Sequence, residues 1–198
     1  MKPDLPPYRV IVSDRKTLSL EITRDAEVLV RVPRRTSRRA LEQFVAAHAN
    51  WIEVHLQKQR ERKAAVENLE LTSERVAYLK AAARQILPGK LERYAALMDA
   101  HPTHLSVTGA ERRFGSCSST GRICFSWRLM LYPEEAVDYV VVHELAHLRH
   151  MNHSADFYAC IARYLPDYKE RKAMLRLPSA QIPDWVVRAV SEQESVPR

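Results

Sequence analysis

The chain has 198 residues, of which 46% are apolar and 28% are charged. These values are typical of one globular domain that buries its own core, and no apolar run is long enough to cross a bilayer. The formal net charge of +7 permits a polyanionic partner such as nucleic acid but does not require one.

Cysteine usage and the N-terminus bear on the cellular compartment. Cys117, Cys124 and Cys160 form no Cys-x-x-Cys pair and are odd in number, so we expect reduced thiols and no disulfide framework. Residues 1–7 contain one lysine but no apolar segment of a signal peptide. We therefore expect a cytoplasmic protein that does not contact the membrane.

The N-terminal third combines strands with a helix. Apolar residues alternate with polar ones at residues 8–12, 18–22 and 28–32, and this period of two predicts three strands. Turn-forming residues between the strands predict an antiparallel meander over residues 8–33. Beyond Pro33, apolar residues recur every three or four positions, which predicts a helix capped by Thr36 or Ser37.

The predicted helical connector covers residues 36–100, and its second helix begins near residue 72 with a break or kink at residues 88–89. From His104 the period returns to two, which predicts strands at residues 105–107 and 123–129 on either side of a loop. Pro133 starts a helix that runs through His147. We interpret residues 104–176 as a catalytic core and 177–198 as a C-terminal tail, all within one domain of residues 1–198.

A cluster of histidines is the strongest functional signal. His143, Glu144 and His147 stand in the order His-Glu-Leu-Ala-His, and four of the eight histidines fall between His143 and His153. Residues four apart lie on one face of a helix, so both outer imidazoles can bind one ion. Three protein ligands and one open position are typical of catalytic zinc, which predicts one Zn²⁺ per chain.

The third ligand is predicted to be His153, with His150 as the alternative. A straight helix would direct His153 away from the ion, so we expect the chain to turn at Asn152, since asparagine tolerates the left-handed conformation. His150 would then support the ligands from the side. Glu144 is the predicted general base, which takes a proton from a water that zinc has acidified to a pKa of about 7.

An ordinary amphipathic helix is the alternative explanation of a bare His-Glu-x-x-His motif. Here the helix is otherwise apolar, with Val137, Val141 and Leu145 on one stripe. Imidazoles and a carboxylate near a core need partners that offset their desolvation, and a metal ion provides one.

The run from residue 112 to 157 resembles the YgjP-like metallopeptidase family in three motifs. The motifs are Arg-Phe-Gly-Ser-Cys-Ser from Arg113, Asp-Tyr-Val-Val-Val-His-Glu-Leu-Ala-His from Asp138, and Asn-His-Ser-Ala-Asp-Phe from Asn152. Phe114 replaces the usual tryptophan of the family. The chain is similar, more broadly, to SprT-like metalloproteases.

The resemblance implies an α+β, zincin-like metallopeptidase with a small antiparallel or mixed sheet, an active-site helix, the N-terminal meander and long helices. It implies that the three histidines bind zinc, that Glu144 is the base, and that peptides or proteins are the substrates. A peptide would add to a sheet edge at residues 121–132. Further residues would support the site or contact the substrate: Arg113, Gly115, Ser116, Cys117 and Trp127.

Three alternatives remain open. Cys117 could be a nucleophile, although a cysteine mechanism needs its own base. A metal-dependent nucleotide phosphohydrolase would use the same activated water, with arginines such as Arg113 on the phosphates. A zinc protein that binds nucleic acid without catalysis would use a basic cluster, for which a solvated turn is the simpler explanation. That cluster consists of Arg31, Arg34, Arg35, Arg38 and Arg39.

Overall fold

The computed structural model describes residues 7–194. The chain forms two compact units, residues 1–68 and residues 69–198. The proline-rich start and the last four residues of the predicted tail lie outside the described residues. That the chain is one domain, divided at residues 8–33, 36–100, 104–176 and 177–198, stays a prediction.

The first unit contains a three-stranded sheet and two helices. Its elements are β1 (Tyr8–Ser13), β2 (Ser19–Ile22), β3 (Val28–Pro33), α1 (Arg38–Ala47) and α2 (Ala49–Glu67). Ser37 caps α1 by accepting a hydrogen bond from the backbone N–H of Ala40, as predicted. The single helix predicted here is divided at His48, which ends α1 and precedes α2.

The predicted antiparallel meander is wrong in its pairing. The strand order is β1-β3-β2, with β1 parallel to β3 and β2 antiparallel to it. β3 takes the centre because it is the most apolar strand, with Val28, Val30 and Val32 nearly inaccessible. Alternating polarity reveals which face of a strand is buried, but it does not choose the neighbouring strand.

The second unit contains another three-stranded sheet and most of the helices. Its elements are α3 (Ser73–Met98), β4 (His104–Thr108), β5 (Gly115–Cys117), β6 (Arg122–Ser126), a 3-10 helix (Trp127–Leu131), α4 (Glu134–Ala146), α5 (Ala155–Tyr164), α6 (Tyr168–Met174) and α7 (Asp184–Glu194).

The second sheet differs from the prediction in two ways. Its order is β4-β6-β5, with β4 parallel and β5 antiparallel to β6, so the segment predicted as the sheet edge contains the central strand. The edge strand is β5, which the sequence suggested was loop. β6 ends at Ser126, whose side chain accepts a hydrogen bond from the backbone N–H of Arg128 and starts the 3-10 helix.

α3 is continuous through the position where a kink was expected. Thr72 caps its start by accepting a hydrogen bond from the backbone N–H of Arg75, and Pro88 lies inside the helix. Leu87 and Leu91, on either side of Pro88, are buried in the core. This apolar packing stabilises the helix and offsets the backbone hydrogen bond that Pro88 cannot donate.

α4 is the element around which the second unit packs. It contacts α3, α5, α6 and β5, and its apolar residues are nearly inaccessible. Lys90 of α3 lies 2.7 Å from carboxylate oxygens of both Glu134 and Asp138 on α4. The start of α4 is therefore fixed by charge and its remainder by apolar packing.

Beyond α4 the chain reverses without the predicted left-handed residue. Positive φ occurs in the described chain at Ala26, Glu70, Asp99 and Gly121, and Asn152 is not among them. A series of turns and bends after His147 makes the reversal instead.

The predicted tail contains a helix, α7, which packs on α3, and the Trp185 indole donates a 2.9 Å hydrogen bond to the carbonyl of Tyr132. The α+β class is confirmed. Within residues 7–194, no helix has the length and apolar character needed to cross a membrane.

Candidate metal centre

The C-terminal end of α4 carries the first two histidines. Val137, Val141 and Leu145 are buried on the face that packs into the core, and this fixes the rotation of the helix. His143 and His147 lie one turn apart, so their rings are adjacent, with centroids separated by 5.0 Å.

His153 reaches the same point from the segment after the reversal. Ser154 caps α5 by accepting a hydrogen bond from the backbone N–H of Phe157, which sets the direction of the new helix. The buried ring of Phe157 contacts all three imidazoles, with centroid separations of 4.9 Å to His143, 4.6 Å to His147 and 4.9 Å to His153. The ring of Phe157 therefore packs against all three imidazoles and restricts their orientation.

The three imidazoles fit the geometry of a zinc site. One ring nitrogen from each of His143, His147 and His153 lies within 4.8 Å of the others. The Nε2 atoms of His143 and His153 are 3.3 Å apart. Two ligands of a tetrahedral zinc with bonds of about 2.0–2.1 Å would be separated by about 3.3–3.4 Å. This separation therefore matches two nitrogens that share one ion.

The remaining ring nitrogens make contacts that orient the imidazoles. His147 Nδ1 donates to the backbone carbonyl of His150 at 3.0 Å, which leaves Nε2 with a lone pair. The hydroxyl of Tyr139 lies 3.3 Å from His143 Nδ1, again leaving Nε2 directed at His153. His150 thus supports a ligand through its main chain, whereas the sequence suggested its side chain.

Burial favours the neutral form of His143 and His147. Desolvation lowers the pKa of His143 from 6.5 to about 3, with further lowering from His147, His153 and Lys172. Desolvation also lowers the pKa of His147, against the opposing hydrogen bond to His150. Neutral imidazoles have the free lone pair that a metal ion requires.

Glu144 lies in a closely packed environment beside the imidazoles. Its side chain is buried, and desolvation raises its pKa from 4.5 to about 7 although Arg113 opposes the shift. A Cβ atom placed on Gly115 would lie 2.5 Å from Oε1 and 2.7 Å from Cγ of Glu144. Gly115 is therefore required for space, since any side chain on β5 here would displace the carboxylate.

A cleft of about 690 Å³ opens beside the site. His143, Glu144 and Tyr139 line it from α4, and Arg113, Phe114 and Gly115 line it from the start of β5. Another wall comes from α6 and the residues that follow it.

The other predicted site residues are dispersed. Ser116 lies opposite Cys124 in the β5–β6 pair and faces away from Gly115, because successive residues of a strand point to opposite faces. Trp127 is buried in the 3-10 helix and lines a different pocket, with Val76 and Arg84 of α3.

Cys117 lies on the same face of β5 as Gly115, but its chemistry does not suit a nucleophile. Burial, and then the charge of Glu144, raise the pKa of the thiol above 9.0, which disfavours the thiolate.

Sequence reasoning did not identify the roles of Tyr139 and Phe157. Tyr139 precedes His143 by four residues on one helix, so their contact followed from the helical repeat. Phe157 follows His153 by four residues in the quoted motif. Its contact with the rings of His143 and His147, however, depends on the reversal of the chain after α4.

The fold and the histidine cluster define a candidate metallopeptidase, and comparison with known proteins supports that class. The model of the YgjP-like metallopeptidase domain matches residues 16–80 and 72–177. The chain therefore belongs to the YgjP-like metallopeptidase family, as the sequence motifs predicted.

No curated protein matches the chain significantly. Among solved structures, the chain is similar to the metallopeptidase zymogen abylysin of Pyrococcus abyssi, with 21% identity and a TM-score of 0.42 over 46% of this chain and 91% of that one.

Proposed function

We propose that this protein is a zinc-dependent endopeptidase in which His143, His147 and His153 hold one zinc ion per chain. The observation that supports this most directly is the convergence of one ring nitrogen from each histidine within 4.8 Å, with the Nε2 atoms of His143 and His153 separated by 3.3 Å. Zinc bound there would act as a Lewis acid that acidifies water and polarises the scissile carbonyl.

Glu144 is the proposed general base. It follows His143 directly, lines the cleft, and has a pKa raised to about 7, so it can accept a proton from water and deliver it to the leaving amine near neutral pH. The space that Gly115 leaves determines where this carboxylate lies.

The peptide substrate is proposed to bind along β5. This strand lies at the sheet edge, and its even-numbered neighbours Phe114 and Ser118 make the hydrogen bonds to β6. By alternation, the backbone groups of Gly115 and Cys117 point outward, where an extended peptide can pair with them.

Activity measurements on E144Q test this function. We expect the variant to retain one zinc ion per chain and to lose peptide hydrolysis by about 100-fold or more, because the base is removed and the ligands remain. E135Q is the matched control, since Glu135 is exposed in the first turn of the same helix. Unchanged hydrolysis by E144Q, or purified protein without stoichiometric transition metal, would contradict the proposal.

A nucleotide phosphohydrolase is the second candidate. The observation that favours it is the basic lining of the cleft, which includes Arg113, Lys169 and Lys172. A panel of nucleoside triphosphates incubated with the zinc-loaded protein tests it, and absence of phosphate or pyrophosphate release excludes it.

Nucleic-acid binding through the N-terminal arginines has weaker support. Arg31, Arg34 and Arg38 each form an ion pair with a carboxylate, to Glu21, Asp14 and Glu42 respectively. These carboxylates reduce the positive field that a phosphate backbone would meet. Retention of DNA or RNA that weakens steeply with salt would be needed to support this role.

A further inference from the structure

The cleft beside the metal centre has basic side chains on two walls. Arg113 lies two residues before β5 on one wall, and Lys169, Lys172 and Arg176 line the other. Among the described residues that line the cleft, Glu144 is the single carboxylate, and it is already committed to the metal centre.

Three of these cations lack carboxylate partners. Within residues 7–194, Arg113, Lys169 and Lys172 form no ion pair, whereas the neighbouring Arg171 pairs with Asp167 at 2.8 Å and with Asp138 at 3.9 Å. Each of the three residues is exposed. Lys169 and Lys172 lie over the rings of Tyr168 and Tyr158, at 6.0 and 5.7 Å from the centroids, but a ring does not neutralise the ammonium charge. The three positive charges can therefore attract an anionic ligand in the cleft.

The charges are close enough to the reacting groups to affect what binds there. Arg113 lies two residues before Gly115, whose missing side chain leaves the space that Glu144 fills, and Lys172 lines the same cleft as His143. Both walls thus bring positive charge close to the centre where the scissile bond would lie.

The spacing of the cations suits an extended chain. Lys169 and Lys172 lie three residues apart, about one turn or 5 Å along the axis of α6, and Arg176 follows in the turn after the helix. An extended peptide covers the distance between the two lysines in about two residues. A compact triphosphate would need converging donors, whereas here apolar residues such as Phe114 and Leu175 lie in the same lining.

We infer that the cleft selects acidic peptide segments, with Asp or Glu side chains of the substrate bound by Arg113 on one wall and by Lys169 and Lys172 on the other. The inference rests on the proposed endopeptidase function and adds the substrate class. Apolar lining between the walls would receive the uncharged residues of the same segment.

Binding to the zinc-loaded E144Q protein tests selectivity separately from hydrolysis. The probes are a labelled peptide with glutamates on both sides of a central Ala-Leu pair and an isosteric peptide with glutamines instead. We expect the acidic peptide to bind about 10-fold more tightly at low salt, and the difference to shrink as salt is added.

Charge reversal identifies the residues responsible. Adding K169E and K172E to the E144Q protein should remove or invert the preference. Adding R93E and R163E, which change the net charge equally at exposed positions outside the cleft lining, should preserve it. Equal binding of both peptides, an unchanged preference in the K169E and K172E protein, or binding of a nucleoside triphosphate without any binding of the acidic peptide would each overturn the inference.

Hydrolysis distinguishes this inference from the proposed function. If the E144Q protein prefers the acidic peptide but the wild-type enzyme does not cleave it, the endopeptidase proposal fails while the anionic site stands. If the wild-type enzyme cleaves both peptides with equal kcat/KM, the endopeptidase proposal stands and the selectivity fails.

Discussion

Gly115 shows how one missing side chain sets the position of a catalytic candidate. The space beside its Cα is filled by Glu144, whose Oε1, Cγ and Cδ would lie 2.5, 2.7 and 2.8 Å from an added Cβ. Glu144 is buried, so its carboxylate cannot rotate freely into solvent to relieve the overlap.

The variant G115A is therefore expected to lower kcat by about 100-fold, because a small displacement of a base has effects of this size. Zinc content should not change, since Gly115 does not contact the histidines. Steady-state peptide hydrolysis and metal analysis measure the two quantities.

G89A is the control for this substitution. Gly89 lies in α3 with nothing within 4 Å of an added Cβ, so hydrolysis should be unaffected and stability should rise by about 1 kcal/mol. Full activity of G115A would show that Glu144 accommodates the methyl group and would contradict the steric role.

Glu144 should also make the metal-free protein sensitive to pH. Burial raises its pKa from 4.5 to about 7, so the folded state binds the proton more tightly than the unfolded state. The resulting stability is present below pH 4.5 and is lost as pH rises through about 7, with a total change of about 3 kcal/mol.

Denaturation of metal-free wild-type and E144Q protein from pH 4.5 to 8 measures this effect. The glutamine does not titrate, so E144Q should gain relative stability as pH rises. The titration of His143 is common to both proteins and largely cancels in the difference. A constant difference across this range would contradict a raised pKa for Glu144.

At the scale of elements, α4 is positioned by a cluster of charges at its start and by packing along its length. Lys90 is 11% exposed and contacts two carboxylates on α4, while Asp138 has Arg171 as a further partner at 3.9 Å. Removal of a buried cation leaves the neighbouring carboxylates without an opposite charge. This lowers the free energy of unfolding more than the loss of an exposed ion pair does.

We expect K90M to lower the free energy of unfolding by about 3 kcal/mol, measured by urea denaturation. D167A is the comparison, because Asp167 is 52% exposed and its pair with Arg171 should contribute much less to stability than the buried contacts of Lys90. Equal effects of the two substitutions would show that Lys90 does not determine the position of α4.

Strand pairing shows what local patterns leave undetermined. The alternation of Val28, Val30 and Val32 correctly indicated a buried strand, yet β1 pairs with it in parallel and not through a hairpin. β5 has only three residues, Gly115–Cys117, too few for a detectable alternation, and it becomes a strand because β6 provides a partner.

At the scale of the molecule, all three proposed ligands lie in the unit of residues 69–198. If zinc binds only the folded state, a free zinc concentration a thousandfold above Kd stabilises that state by about 4 kcal/mol. We therefore expect zinc to slow amide hydrogen exchange in the core of residues 69–194, and a chelator to reverse the change.

Amide hydrogen exchange in residues 7–68 tests the single-domain prediction in the same experiment. If both units unfold together, zinc should slow exchange of the core amides of β3 as well. Slowing confined to residues 69–194 would contradict a single domain, and no slowing in either unit would contradict the metal centre.

The sequence by itself indicated the metallopeptidase family and the pairing of His143 with His147, because a spacing of four residues on one helix needs no tertiary information. It also indicated the cap of α1 at Thr36 or Ser37, since such a cap depends on a hydrogen bond within three residues. The tertiary structure decided which strand forms the sheet edge, why Gly115 must lack a side chain, and how cations from two walls meet in one cleft. Those features depend on contacts between residues distant in sequence, and the local periodicity of the sequence does not encode such contacts.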